Sequence, residues 1–322
     1  MKKFLGIDLG GTSAKVGVVN QQGIVEHDFV IGNNVVQLLP HLISEVKKEL
    51  ASKNYDFKSD IQAIGFATPG FIDVKTGVIL GAYNLGWVDF DLKAELKNYD
   101  LGVKDIFILN DANAAALGEF WVGAGNQTAN EIFYTLGTGI GGAIILNGQL
   151  FLGENGFAGE FGHGGNHQNI FACTCGLPNC LEAANSATSL AKTFKHYLKI
   201  ENNQELNKYF HPHQDLSLEK IAVVYQQANK PQVIRDLLSK CLKPLVAHMS
   251  TMVFALNPKI IIVGGGGSQM GENLLEIIRH DLNKLLLPFQ QNKILVKQAV
   301  LGNKAGLIGA AYYALKNSET DK

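Results

Sequence analysis

Two stretches lying 127 residues apart constrain this chain more than any other feature. The first runs from Phe4 to Asn20: an apolar segment, the tip Asp8-Leu9-Gly10-Gly11-Thr12, and a β-rich return from Lys15. The second runs from Ile132 to Asn147: an apolar segment, the tip Thr135-Leu136-Gly137-Thr138-Gly139, and the apolar return Ala143 to Leu146. They superpose without a gap. Short apolar runs split by glycines read as strand, tight turn and strand. A repeat of this length predicts two related α/β domains, each opening with a hairpin.

The remaining pattern fits that plan. Leu39, Leu42, Ile43, Val46 and Leu50 recur at helical spacing, with Pro40 marking the first turn or a kink. Ile61 to Ala67 reads as a strand ending at Thr68-Pro69-Gly70, Leu92 to Lys97 as a helix, Ile106 to Leu109 as a strand and Ala112 to Phe120 as a helix. Beyond the second hairpin, helices are predicted over Leu181 to Leu198, Leu218 to Asn229 and Gln232 to Leu256, the last bent at Pro244. A strand from Lys259 to Val263 runs into Gly264-Gly265-Gly266-Gly267-Ser268, followed by a helix to Leu287, a strand from Ile294 to Val300 and a helix from Ala305 to Lys316. Asn317 to Lys322 reads as a disordered tail.

Composition excludes several classes of function. With 322 residues, 46% of them apolar, the chain can bury two cores. A net charge of −1, with both signs mixed along the sequence, gives no electrostatic reason for a nucleic-acid or anionic-membrane partner. The basic start, Met1-Lys2-Lys3, meets Asp8 before a useful apolar length, and no later segment has the roughly 18 apolar residues of a membrane span. A cytoplasmic location is expected. Three of the four cysteines fall within eight residues, a pattern that suits a metal site in a reduced compartment better than a disulfide framework.

That metal site lies between Glu160 and Glu182. His163, Cys173, Cys175 and Cys180 supply one imidazole and three thiols, a full tetrahedral set for zinc, with His167 as an alternative imidazole. Four protein ligands make the metal structural rather than a Lewis acid. Gly137 to Gly142 matches Gly-x-Gly-x-x-Gly, yet a strand follows it where a dinucleotide fold needs a helix. What remains is a pair of hairpin tips whose backbone amides and threonine hydroxyls can face phosphate: Gly10, Gly11 and Thr12 in one, Gly137, Thr138 and Gly139 in the other. Asp8 beside the first tip could hold magnesium near phosphate or cap a turn, and Lys15 could reach phosphate or extend to solvent. Asp111, at the end of a strand, is placed either as a helix N-cap or as a base that accepts a proton from an attacking hydroxyl. Gly264, Gly265 and Gly266 form a strand-loop-helix turn where a nucleotide can approach bare backbone.

Taken together, these residues resemble the ROK family of repressors and sugar kinases. The resemblance runs through Asp8 to Thr12, Thr68-Pro69-Gly70, Asn84-Leu85-Gly86-Trp87, Asn110 to Asn113, Gly137 to Gly142, Gly159 to His163, the cysteine cluster through Glu182, Gly264 to Gly266 and Gly309-Ala310-Ala311. Two departures are Asn179, where the family's cysteine motif usually has glycine, and Gly164-Gly165-Asn166 after His163, where the family more usually has an apolar pair; asparagine at 179 also tolerates a left-handed backbone.

The resemblance implies an α/β, actin-like ATPase (ribonuclease H-like) fold with two α/β domains flanking a cleft and a structural zinc site. The domains would be residues 1–110, rejoined by the C-terminal helix 305–318, and 111–304, containing the zinc loop 160–182. ATP and magnesium would lie with Asp8, Gly10, Gly11, Thr12, Lys15, Gly137, Thr138 and Gly139, the adenosine near Gly264, Gly265 and Gly266. Gly70, Asn84, Asn110, Asp111, Glu160, His163 and Glu182 would bind a hexose, with Asp111 acting on its 6-hydroxyl. The implied activity is ATP-dependent glucose phosphorylation. The alternatives are a kinase for N-acetylmannosamine, mannose or fructose, or a non-catalytic sugar-sensing regulator. A homodimer or homotetramer is expected.

Overall fold

The computed structural model describes residues 2–33, 37–103, 105–165, 169–211, 214–266 and 271–320. The chain forms two compact units. Unit 1 comprises Met1–Gln127, Gln149–Ala158 and Leu301–Lys322; unit 2 comprises Thr128–Gly148 and Gly159–Val300.

In unit 1 the strands β1 (Lys3–Leu9), β2 (Ser13–Asn20) and β3 (Val25–Gly32) form a meander. It is followed by α1 (Leu38–Ser52), a short α2 (Phe57–Asp60) and β4 (Ile61–Thr68). A small separate sheet, β5 (Phe71–Asp73), β6 (Val78–Ala82) and β7 (Trp87–Asp91), precedes α3 (Leu92–Lys97), β8 (Asp105–Asn110) and α4 (Asp111–Val122). The main sheet has the order β3-β2-β1-β4-β8, with β1, β4 and β8 parallel. Its core gathers Leu5, Ile7, Val16 and Val18 from the hairpin with Leu42, Ile43 and Val46 of α1.

Unit 2 repeats this order. Its strands are β9 (Glu131–Leu136), β10 (Ile140–Leu146), β12 (Ile260–Gly264) and β13 (Leu295–Gln298), and β11 (Gln149–Leu150), a short strand counted with unit 1, completes the sheet. They run β11-β10-β9-β12-β13, again with three parallel strands beside an antiparallel hairpin. The helices are α5 (Leu181–Asn185), α6 (Ala187–Glu201), α7 (Leu218–Gln227), α8 (Gln232–Leu256, with Pro244 inside it) and α9 (Glu272–Leu285). Leu190, Phe194, Leu238, Leu242 and Met249 from these helices close over Ile132, Tyr134 and Val263 of the sheet.

The chain ends in α10 (Ala305–Thr320), which returns to unit 1. A Cβ on Gly65 of β4 would collide with the carbonyl of Ala310, and one on Gly309 with the carbonyl of Ala114 in α4. Glycine at these two places lets the helix lie backbone to backbone against the sheet and against α4. This packing groups α4 with unit 1, which therefore runs past the boundary at residue 110 expected from the sequence.

Four sequence expectations need correction. The helix expected from Leu181 to Leu198 is two, because Ser186 breaks it and caps α6 by accepting the Ser189 N–H at 3.2 Å. Asn317 to Thr320 are helical rather than a tail; the Asn317 amide donates to Tyr313 O at 2.8 Å and Ser318 Oγ to Leu315 O at 3.1 Å. β3 and the small sheet β5–β7 were not expected. Finally, the gap-free overlay of the hairpins fails on the returning strand. Leu9 pairs with Ala14, whereas Leu136 pairs with Ile140, so the second tip is one residue shorter.

Candidate active site

Unit 1 supplies the acidic groups. At the end of β8 the side-chain oxygen of Asn110 accepts the N–H groups of Ala112 (2.8 Å) and Asn113 (3.3 Å), and its amide donates to Gly70 O at 3.1 Å. Asn110 is thus the cap of α4. Asp111, expected as either cap or base, is the first helical residue, and its carboxyl accepts the neighbouring Ala112 N–H at 2.9 Å. Burial raises its proton affinity above the ordinary carboxylate range, and the Lys15 cation opposes part of that rise.

Asp8, at the end of β1, is opposite Lys15 of β2 in the hairpin register, 3.7 Å from its Nζ. Burial pushes its pKa up to about 6; Lys15 lowers it and the nearby Asp111 carboxyl raises it. Gly306, in the first turn of α10, leaves the room this carboxyl occupies, since a Cβ there would strike it. The first tip closes through Gly10 N to Ser13 O at 2.9 Å. Its exposed Gly11 lies beside Asn84, whose amide nitrogen would be 3.8 Å from a Cβ on that glycine. A partly buried carboxylate beside a lysine and bare backbone is a fitting place for magnesium with phosphate.

Unit 2 supplies a neutral tip and the metal loop, joined by Glu182. The second tip closes through Gly137 N to Gly139 O at 2.9 Å. The Glu182 carboxyl accepts the Ile140 N–H at 3.0 Å, and a Cβ on Gly139 would collide with it. In the same region Ala187, the first residue of α6, donates its N–H to Gly137 O at 2.9 Å, which sets a 15-residue helix N-terminus against the tip. Glu160 and His163 flank Phe161, which is buried against Tyr134 and His248 with ring centroids 4.9 and 5.2 Å away. That anchor fixes the loop carrying both polar side chains.

The ligand atoms of His163, Cys173, Cys175 and Cys180 all lie within 4.8 Å of one another, and the Cys175 and Cys180 sulfurs are 3.5 Å apart. A tetrahedral zinc with bonds of about 2.0–2.3 Å sets its ligand atoms roughly 3.5–3.8 Å apart, so the Cys175–Cys180 pair already has that spacing and the full set lies close enough to converge on one ion. Asn179 adopts φ 61°, so asparagine fills the left-handed position before the last cysteine. The Leu177 N–H is the largest influence lowering the Cys175 thiol to about 7. His167 lies outside the described residues.

Of the three candidate glycines, Gly264 ends β12, Gly265 (φ 81°) makes close backbone approach to Leu136, and Gly266 is open and borders a cavity of about 760 Å³ within unit 2. Gly137 and Thr138 line the same cavity, as do Lys192 and Lys195 of α6 and Ser217 at the start of α7. The sequence reading missed the α6 and α7 walls. Their only signal was a pair of lysines at helical i, i+3 spacing and a serine before an amphipathic run. Gly267 and Ser268 lie outside the described residues.

Comparison with known proteins follows this geometry. The profile of the ROK family matches residues 4–317. A glucokinase of Halalkalibacterium halodurans is 34% identical over 320 residues, covering 96% of this chain and 94% of that protein. A ROK family glucokinase from Streptomyces griseus, solved with glucose and AMPPNP, superposes with a TM-score of 0.77 at 29% identity, over 98% of this chain and 99% of that one. A xylose repressor of Caldicellulosiruptor bescii is 27% identical over 311 residues, 95% of this chain and 76% of that protein. The repeated sheets are those of the actin-like ATPase fold, and among the described residues no helix is long and apolar enough to cross a membrane. By its sequence along nearly the whole length and by its fold, the chain belongs to the ROK family.

Proposed function

We propose that the protein is an ATP-dependent hexose kinase that transfers the γ-phosphoryl group of magnesium-ATP to the 6-hydroxyl of glucose. The observation that carries this reading is Asp111. Asn110 takes over the capping of α4, and burial holds the Asp111 carboxyl above the ordinary carboxylate range. Both effects suit a group whose task is to accept a proton. The sugar hydroxyl oxygen forms the new bond to the γ-phosphorus, its proton passes to Asp111, and the β–γ bridging oxygen leaves with ADP.

The other residues position and neutralise. Gly70, Asn84 and Asn110 in unit 1, and Glu160, His163 and Glu182 in unit 2, read as hexose contacts. Asn110 also holds Gly70 in place. Gly10, Gly11, Thr12 and Lys15 in unit 1, with Gly137, Thr138 and Gly139 in unit 2, read as phosphate contacts. The cavity bordered by Gly266, with Gly264 and Gly265 behind it, reads as the adenosine site. Magnesium held by Asp8 would neutralise phosphate charge. Zinc on His163, Cys173, Cys175 and Cys180 would fix the His163 ring and, through Cys180, the start of α5 that carries Glu182. Glucokinase relatives support the choice of glucose.

Likeness to a xylose repressor favours one rival, a sugar sensor without catalysis. A coupled ADP-release assay over glucose, N-acetylmannosamine, mannose and fructose separates the readings. Glucose is expected to give the highest kcat/KM. A higher value for another sugar would reassign the acceptor, and no ADP release with any sugar from folded protein would overturn the kinase reading.

A further inference from the structure

Each hairpin tip is held by a group that the hairpin itself does not supply. In unit 1, Asn33, just past the end of β3, grips the tip at two points. Its side-chain amide donates to Gly10 O at 2.6 Å, and its backbone N–H donates to Thr12 O at 3.1 Å. Only the nitrogen of a carboxamide can face a carbonyl oxygen at such a distance. In unit 2 the carbonyl of Gly137, the residue that overlays Gly10, accepts the Ala187 N–H at 2.9 Å. The same carbonyl is thus tied down in both tips, by a side chain in one and by the first turn of α6 in the other.

The consequence lies on the other side of the peptide plane. A trans peptide unit sends its C=O and its N–H in opposite directions, and all peptide bonds of the described residues are trans. Turning Gly10 O toward Asn33 therefore turns the Gly11 N–H away from Asn33, and turning Gly137 O toward Ala187 turns the Thr138 N–H away from α6. Gly11 and Thr138 are exposed, and among the described residues neither N–H makes a hydrogen bond. Such outward N–H groups form an anion-binding concavity. The unit 1 tip is the one that needs a hold, because its peptide unit joins two glycines and can flip at little steric cost. A flip would replace the N–H with a carbonyl oxygen, which repels phosphate.

We propose that Asn33 is a positioning residue for the phosphate donor: by tying down the Gly10 carbonyl, it locks the Gly10–Gly11 peptide unit in the orientation that offers the Gly11 N–H to a phosphate of ATP. This deepens the kinase reading above and rests on it. Asn33 acts through one peptide unit and takes no part in the proton transfer.

Two variants test it. Asn33→Ala removes the side-chain hold and keeps the backbone bond to Thr12 O; Asn33→Asp fills the same space with a carboxylate that cannot donate. The full chain is titrated by calorimetry with magnesium-AMPPNP and, separately, with glucose, beside steady-state assays with ATP. Both variants are expected to bind AMPPNP about tenfold more weakly and to show a similar rise in KM for ATP, with glucose affinity and kcat at saturating ATP within about twofold of wild type. In the wild type, the Gly11 amide proton resonance is expected to move downfield when magnesium-AMPPNP is added, since that N–H gains a charge-assisted hydrogen bond. Thermal melts identify the variants that retain the fold. Unchanged AMPPNP affinity in a folded variant overturns the proposal, as does equal weakening of AMPPNP and glucose, and so does a Gly11 resonance that stays in place. If no sugar drives ADP release in the wild type, the kinase reading fails, while the AMPPNP titrations and the Gly11 resonance still decide the role of Asn33.

Discussion

The two hairpins share a topology and differ in chemistry. In unit 1 the tip is flanked by a carboxylate and a lysine facing each other across β1 and β2, with Asp8 pushed up to about 6 by burial. In unit 2 the corresponding strands pair Thr135 with Gly141, and the charged residue that engages the tip, Glu182, comes from the metal loop. The same backbone arrangement thus brings Asp8, Lys15 and Asp111 near one another in unit 1, while the tip Gly137-Thr138-Gly139 of unit 2 carries no titratable side chain and is braced by Glu182. In the proposed kinase reaction this difference becomes a division of labour in which unit 1 moves the proton and the metal loop of unit 2 adds braced contacts to the sugar.

The contrast can be broken most sharply at Asp111. Asp111→Asn leaves Asn110 capping α4 and removes the base, so kcat is expected to fall roughly 10²- to 10⁴-fold in steady-state assays. Wild-type activity should fall on acidification with a midpoint above the ordinary carboxylate value, because the folded protein favours protonated Asp111. A pH–rate profile checks this. On the unit 2 side, stripping zinc with a chelator is expected to raise the KM for sugar about 10- to 100-fold while nucleotide affinity, followed by calorimetry with AMPPNP, stays close to that of the intact protein.

Two smaller effects sharpen the comparison. A Cβ on Gly139 would collide with Glu182, whereas one on Gly137 meets nothing within 4 Å. Gly139→Ala should therefore push the Glu182 carboxyl off the Ile140 N–H and cost about 0.5–1.5 kcal/mol by denaturant titration, and Gly137→Ala little. In unit 1, Asp8 binds its proton more tightly in the folded protein than in the unfolded chain. Its contribution to stability is fully present below about pH 3.8 and is lost as pH rises through about 6. Asp8→Asn, neutral throughout, should thus be more stable than wild type at pH 8, by roughly 1–2 kcal/mol after allowance for the partial exposure of Asp8, and should match it near pH 4. Melting curves at the two pH values test the sign.

Much of this was legible in the sequence where the signal was local. The metal set was readable because its four ligands fall within 18 consecutive residues, and the hairpins because strand, glycine tip and strand are contiguous. What the sequence hid depends on contacts between distant segments. β3 carries Glu26 and Asp28 outward between inward His27 and Phe29, so its charges masked a strand. The small sheet was obscured because Asp89 interrupts the alternation of β7. The role of Asn110 as the α4 cap turned on a one-residue choice between two adjacent capping side chains, and packing of Asn110 on Gly70 settles it. The cavity walls on α6 and α7 have no common motif, since residues 187–195 and 215–219 meet only in the folded unit.

The most direct test of the division of labour is to measure kcat and sugar dissociation constant together for Asp111→Asn and Cys175→Ser. Opposite signatures are expected. Asp111→Asn should lose kcat with glucose binding intact, and Cys175→Ser should lose glucose binding while retaining most of its kcat at saturation. If both folded variants lost turnover and affinity in the same proportion, the two units would not divide the work in this way.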